Sequence, residues 1–534
     1  MRLLWLTIGL IVVLALAGAG ALLWRRLYRD DPENAARRIF KNSAITFGMR
    51  MVVRALDLIV FFLLAGSLSV GSMGDYTFAT LLVGQYLSIF TEFGLGVLLT
   101  REVARDPGVA RRFFGVTLGL RLLLVVAGAL PVALLVVGAF AVIGQPLSGE
   151  GAAIIFVLLL TLVPSAYSGA VTALYNANER MEVPALMELV TNALSFLARI
   201  GVIVFGLGIL GLAWSAVAVS SFTAAAFFLL QRRHFFPPTL SWDTAKMRAT
   251  MPLALPLMLN NLLSAVFFRF DVFVIRAFGG AEGEQLVGQY NVPYTILGIA
   301  LIVPPAVTFA VFPLLSRRAD GDRVAMADAQ NRTLQLLLAL AFPLAMGMSL
   351  LAPELILLFT RSQFPNYGPS PAVLAILAWF LPLSFANGLL QYALIAVNRQ
   401  AAITRAFLIG AAANLALNLI AVPVAVLSFG RPEWGLYAAA AITVLSELLL
   451  YLIFVPLLRS EGLKPPLLRM SWRPALAAVG MGAAMLALKL VIPGWPGAIV
   501  AGLAAPLVYG ASLWALGGIG AEERALALRI LGRG

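Results

Sequence analysis

The chain contains no cysteine and a single histidine, His234. Disulfides, thiol catalysis and thiolate metal sites are therefore excluded. One histidine also rules out a zinc site built on imidazoles and any catalytic triad that needs His. Charge is scarce as well, with Asp, Glu, Lys and Arg making up 12% of 534 residues. About 25% is usual for a soluble domain. No Gly-x-x-x-x-Gly-Lys-Ser/Thr phosphate loop occurs, which excludes a P-loop ATP-driven pump in one chain. Asp320-Gly-Asp322 matches the Asp-x-Asp pattern, but such short matches are common and a solvated loop is the favoured reading.

Hydrocarbon takes the place of charge, because 61% of the residues are hydrophobic. Windows of about 20 apolar residues are long enough to cross a bilayer. They fall at 3–23, 44–68, 76–99, 113–142, 152–175, 185–206, 209–230, 250–275, 287–315, 333–353, 373–397, 407–427, 435–458, 474–492 and 497–517. The two longest, 113–142 and 287–315, exceed one perpendicular crossing and call for tilt or an interfacial end.

The net charge of +13 would suit nucleic acid, but its distribution points elsewhere. Most Lys and Arg residues sit in every second loop, beginning with 24–42. The intervening segments hold only Arg2, Arg276, Arg361 and Arg431. By the positive-inside rule the basic loops are cytoplasmic. The N-terminus is then outside and the C-terminus inside a cell membrane. The Ala-Gly-Ala-Gly-Ala run in 3–23 looks like a cleavage site. Cleavage would strand six cations outside, so this span reads as an uncleaved extra helix.

Internal repetition organises the rest. Asp57 is followed by Gly74-Asp75-Tyr76, and Asp271 by Gly288-Gln289-Tyr290, at a common offset of about 214. Pro164 with Asn178 pairs with Pro382 and Asn398, and Gly211-Leu with Gly435-Leu, as the offset grows. The expected fold is all-α and multi-pass, with two six-helix lobes related by duplication. Two extra helices follow at the C-terminus and one precedes at the N-terminus. The boundaries are 1–42 for the extra helix and basic linker, 43–231 for the N-lobe, 232–249 for a cytoplasmic linker, 250–458 for the C-lobe and 459–534 for the last two helices and tail. Both lobes begin and end inside, so the repeat is parallel, and such halves suit alternating access. Prolines within the spans (131, 164, 252, 256, 304, 305, 343, 382 and 423) favour kinks.

Polar residues inside the spans are the candidate site. A charge at bilayer depth costs about 2.5–3.5 kcal/mol on insertion scales, so it faces protein or water. Arg50, Arg54 and Asp57 follow one helix face at i, i+4 and i+7. Arg121, Arg199, Arg269 and Asp271 complete a substrate-binding set. Guanidinium suits phosphate because its planar fork gives paired bonds. In a continuous helix Arg269 and Asp271 would lie about 200° apart. Further stripes read as cavity lining: Thr77, Gln85, Ser88 and Glu92; Glu188, Asn192, Ser195 and Arg199; Asn260; Ser384, Asn387 and Gln391; Asn414 and Asn418. Hydrogen bonding between helices is the plain structural alternative for each. Five acids in the spans (Asp57, Glu92, Glu188, Asp271 and Glu447) balance the five arginines, so charge alone does not establish an anionic substrate.

The stretch from Gly74-Asp75-Tyr76-Thr77 to Glu92-Phe93-Gly94-Leu95-Gly96 and Arg101-Glu102-Val103-Ala104-Arg105 resembles the first repeat of the Wzx-type polysaccharide flippases. These belong to the multidrug/oligosaccharidyl-lipid/polysaccharide exporter superfamily. Pro252-Leu-Ala-Leu-Pro256 through Arg269-Phe270-Asp271 resembles the start of their second repeat. Arg50, Arg54 and Asp57 match in kind the helix-one residues of MurJ-type relatives. The resemblance implies fourteen helices around a central cavity and a lipid-linked sugar pyrophosphate as cargo. It implies no enzyme activity, no cofactor and no metal. The implied partners are membrane lipid, the lipid-linked glycan and a glycan polymerase or glycosyltransferases, with no nucleic acid; the chain is expected to act as a monomer. The alternatives are a proton- or sodium-coupled drug exporter of the same superfamily, with Asp57 or Glu188 as ion carrier, and a membrane glycosyltransferase or polymerase. The extra helix 3–23 departs from the family pattern.

Overall fold

A computed structural model describes residues 56–319 and 321–518. Among these, every regular element is a helix. Thirteen helical segments are long and apolar enough to cross a membrane, and the shorter apolar helix Leu56–Ser67 precedes them. The thirteen correspond one for one to the expected spans from 76–99 onward. The span 3–23, and the part of 44–68 that carries Arg50 and Arg54, lie outside the described residues.

The chain divides into two compact units between Ala265 and Val266. In the first, α1 (Leu56–Ser67) leads into one long crossing made of α2 (Val70–Thr80), a π-helical stretch (Leu81–Leu87), α3 (Ser88–Glu92) and α4 (Leu95–Arg105). Next come α5 (Ala110–Leu124), α6 (Leu130–Val142), α7 (Gly149–Leu159), α8 (Leu162–Ala177), α9 (Glu182–Phe205) and α10 (Gly208–His234). Helix α11 (Thr244–Arg269) runs across the division.

The second unit continues with α12 (Asp271–Phe278), α13 (Gly283–Ala300), α14 (Val303–Ala319), α15 (Arg323–Leu350), α16 (Ala352–Thr360) and α17 (Ser370–Leu377). It closes with α18 (Phe380–Ala396), α19 (Gln400–Phe429), α20 (Glu433–Ser460), α21 (Leu467–Val491) and α22 (Trp495–Ala515).

Proline decides several of the interruptions. It lacks the N–H that would bond four residues back and crowds that carbonyl. Pro164 follows a break at Leu160–Thr161, Pro304 a break at Leu301–Ile302, and Pro382 a break at Ala378–Trp379. Pro131 follows the π-helical turn Val125–Ala129. Pro252, Pro256, Pro343 and Pro423 sit inside unbroken helices. There the neighbouring turns absorb the lost bond, as membrane helices tolerate.

The expected linker 232–249 is a fixed strap on the first unit. Helix α10 continues to His234, whose Nδ1 lies 2.7 Å from the Tyr175 hydroxyl. Beyond it, the Thr239 hydroxyl donates to the Arg111 carbonyl at 3.0 Å, and the Ser241 N–H donates to the Gly115 carbonyl at 3.1 Å.

Each unit ties the start of its second crossing to the start of its fourth. In the first, the Ser148 hydroxyl donates to the Asp75 carboxylate. In the second, Gln289 donates through Nε2 to the Asn366 carbonyl at 2.8 Å, and the Ser370 hydroxyl donates to the Gln289 carbonyl at 2.7 Å. The C-terminal hairpin of α21 and α22 packs on α15 through Ala477, Met481, Met485, Ala501 and Tyr509. Lys489 fixes it further, bonding the Leu350 carbonyl at 2.9 Å and the Glu354 carboxylate at 2.7 Å.

Candidate substrate-binding site

The first unit holds two ion pairs between its apolar helices, and they differ in exposure. Arg199 on α9 meets Asp57 on α1 at 3.5 Å, with side chains 32% and 48% exposed. Arg121 on α5 is buried to 1% exposure and meets Glu92 at 3.3 Å. Both pairs join residues singled out in the sequence for one site, but the two pairs have different surroundings.

The Arg121 pair sits at a break in the second crossing. Helix α3 ends at Glu92, Phe93 and Gly94 take left-handed φ of 50° and 72°, and α4 starts at Leu95. A left-handed φ is strained for phenylalanine and free for glycine. The Glu92 carboxylate turns back to accept the Gly94 and Gly96 N–H groups, each at 2.7 Å. It therefore caps the positive end of α4. Arg121 Nη1 donates to the Ala166 carbonyl at 3.0 Å. Room for the guanidinium comes from Gly169, where a Cβ would lie 2.6 Å from Nη1.

Helix α9 carries an open polar stripe. Glu188 is exposed, and its carbonyl accepts from the Asn192 side chain at 2.8 Å. Ser195 and Arg199 continue the same face. Gln85 lies half-buried in the π-helical stretch Leu81–Leu87. Asn260 is exposed on α11, and its carbonyl accepts from Ser264.

In the second unit the polar residues form a buried set around α13 and α20. Helix α11 stops at Arg269, Phe270 forms a turn, and α12 begins at Asp271. Phe270 keeps a right-handed helical φ and ψ across this turn, and the two side chains find different partners. Both residues reach α13. Arg269 donates to Asn291 Oδ1 at 2.7 Å and stands 4.2 Å from the Tyr294 ring centroid. Asp271, 2% exposed, accepts the Tyr290 hydroxyl at 2.6 Å. Tyr290 Oη also lies 3.4 Å from the Thr443 hydroxyl of α20.

One turn along α20, Asn387 of α18 donates to the Glu447 carboxylate and to its carbonyl. Asn414 of α19 donates to Ser446 at 2.9 Å, and Asn418 donates to Asn414 Oδ1 at 3.1 Å. Asn387, Asn414 and Asn418 are all buried, whereas Gln391, one turn beyond Asn387, is half-buried. Arg50 and Arg54 lie outside the described residues. Asp322 caps α15 by accepting the Ala325 N–H at 2.8 Å; Asp320 also lies outside the described residues.

Sequence reasoning left Tyr290, Asn291, Tyr294, Thr443 and Ser446 out of the site. Tyr290 and Tyr294 stand one turn apart beside Asn291, and that spacing was the available signal. Among the described residues no three His, Cys, Asp or Glu side chains converge as a metal site would need.

Comparison with known proteins places the chain. The model of the family described as "Polysaccharide biosynthesis protein" matches residues 39–318, just over half the length. A probable flippase, AglR of Haloferax volcanii, is 23% identical over 420 residues, covering 77% of this chain and 81% of that protein. The fold is similar to that of a lipid II flippase, MurJ, in an inward closed conformation. The TM-score is 0.68 at 15% identity, over 92% of this chain and all of the other. It is also similar to an inward-facing multidrug resistance transporter of the MATE family, with a TM-score of 0.58 at 16% identity over 76% of this chain and 94% of the other. A multi-pass helical membrane protein with this match is a member of the polysaccharide biosynthesis protein family.

Proposed function

We propose that this protein flips a lipid-linked oligosaccharide, carried on a polyprenyl pyrophosphate, from the cytoplasmic to the outer leaflet by alternating access. The step serves cell-surface polysaccharide biosynthesis. The protein works as a monomer in the cell membrane with its C-terminus cytoplasmic, and glycosyltransferases and a polymerase supply and consume the glycan. Support comes from the family and from the names of similar proteins, a probable flippase and a lipid II flippase.

The observation that carries it is the half-exposed Arg199–Asp57 pair beside the open stripe of α9. Hydrocarbon does not tolerate such charges, so they face water or a polar cargo. Arginine there can pair with phosphate oxygens when the cargo's head group arrives. In proteoliposomes with a fluorescent lipid-linked sugar, Arg199→Ala and Arg269→Ala are expected to slow head-group translocation. Wild-type rates in the double variant would remove both residues from the site, and no translocation by the wild type would remove the function.

A second reading, an ion-coupled drug exporter, draws on one observation. Glu447 is buried on α20 and makes no ion pair among the described residues. A drug-resistance assay in a pump-deficient host separates the two, because only the exporter raises resistance.

A further inference from the structure

The break at Phe93–Gly94 creates a helix start inside the membrane-spanning segment Val70–Arg105, and the chain fills it with its own anion. Two backbone N–H groups, of Gly94 and Gly96, point at the Glu92 carboxylate at 2.7 Å. Arg121 Nη2 points at the same carboxylate from α5 at 3.3 Å. Helix α4 runs eleven residues from this point, so its N-terminal dipole is developed. Arg121 lies eleven residues into α5, about 16 Å along its axis at 1.5 Å per residue. The segment that carries it, Pro107–Val142, is long and apolar enough to cross a membrane.

The guanidinium itself points to a ligand. Arg121 is 1% exposed, and its Nε has no hydrogen-bond partner among the described residues. A buried cation with an idle donor is costly, and an added oxygen would satisfy it. The Glu92 side chain, by contrast, is 40% exposed. The carboxylate is thus the exposed member of the cluster and the Arg121 guanidinium the buried one. Gly96 and Gly169 keep the space open, since a Cβ at either would approach Arg121 to 3.2 Å or 2.6 Å.

We infer that the Gly94 and Gly96 N–H groups and the Arg121 guanidinium form a phosphate subsite in which Glu92 is a resident stand-in, displaced when the cargo's pyrophosphate binds. This subsite presupposes the transport function proposed above and gives its cargo a docking point within the membrane-spanning helices. Exchange of one anion for another keeps Arg121 and the α4 start compensated in both states. The empty carrier can then reset without a naked buried charge.

The test uses wild type, Glu92→Gln and Glu92→Gln with Arg121→Lys in nanodiscs, with polyprenyl pyrophosphate as probe and polyprenol as the uncharged control. Glutamine keeps one accepting oxygen, for the Gly96 N–H and Arg121, and removes the competing charge together with the acceptor of the Gly94 N–H. Glu92→Gln is expected to bind the pyrophosphate about tenfold more tightly, the scale of one charge-assisted hydrogen bond. Its polyprenol affinity should stay at the wild-type level, and lysine at 121 should cancel most of the gain. Equal or weaker pyrophosphate binding by Glu92→Gln would overturn the subsite, as would an equal gain for polyprenol. The polyprenol comparison decides the matter even if the double variant does not fold. Translocation by wild type alongside an unchanged Glu92→Gln affinity would sink the subsite alone. Absence of translocation by wild type would sink the transport function instead.

Discussion

Tyr290 donates its phenolic hydrogen to Asp271 at 2.6 Å, joining the start of α12 to α13 just past the turn at Phe270. The bond lies where both partners are dry. Removing the hydroxyl leaves a buried carboxyl oxygen short of a donor. Tyr290→Phe is therefore expected to lower stability by about 1–3 kcal/mol. Thermal denaturation in detergent reads the change, and a melting curve unchanged from wild type would show that Asp271 finds another donor.

Gly169 is a matter of space rather than backbone freedom. An alanine there would place its methyl 2.6 Å from Arg121 Nη1, against a side chain with nowhere to go. Gly169→Ala is expected to cost about 3 kcal/mol or more, as displacement of a buried paired charge does. Gly201→Ala on α9 is the control, because nothing lies within 4 Å of its Cβ. There alanine should be neutral or stabilising by up to about 1 kcal/mol. Equal melting shifts for the two would refute the packing explanation.

Arg199 and Asp57 are half-exposed, so their mutual attraction adds little to stability. A double-mutant cycle with alanine should give a coupling of about 1 kcal/mol or less. Translocation should nevertheless fall with either single change, Arg199→Ala most. A large stability coupling with normal translocation would make the pair a structural clamp.

Lys489 and Glu354 anchor the last two helices. Glu354→Gln removes the countercharge of an ammonium that is 23% exposed. The expected loss is about 1–3 kcal/mol, felt first in the packing of α21 on α15. Faster proteolysis between α20 and α21 in the variant would show this; an unchanged cleavage rate would show that the apolar contacts of Met481 and Met485 suffice.

Much of this architecture was readable without coordinates. Hydrophobicity over twenty residues is a local property, and loop charge is counted in order, so the crossings emerge from the chain alone. Interruptions near Pro131, Pro164, Pro304 and Pro382 follow from the missing N–H at each proline. The break at Phe93–Gly94 had less warning, since glycine is common in membrane helices. The turn at Phe270 carried no Gly or Pro at all.

Polar residues divided along the same line. Their presence inside apolar spans marked Arg121, Arg199, Arg269 and Asp271 as costly and therefore partnered. Which partner each one has is settled by approach between segments far apart in the chain. Arg121 meets Glu92 twenty-nine positions away, Asn387 meets Glu447 sixty positions away, and Arg199 turns to Asp57 across most of the first unit. Spacing along a helix tells which residues share a face but not what that face meets. The chain's order thus determined where charge had to be compensated. Only packing decided which charges are sealed, as Arg121 is, and which stay open to water, as Arg199 does, because exposure depends on the neighbours that close over a side chain.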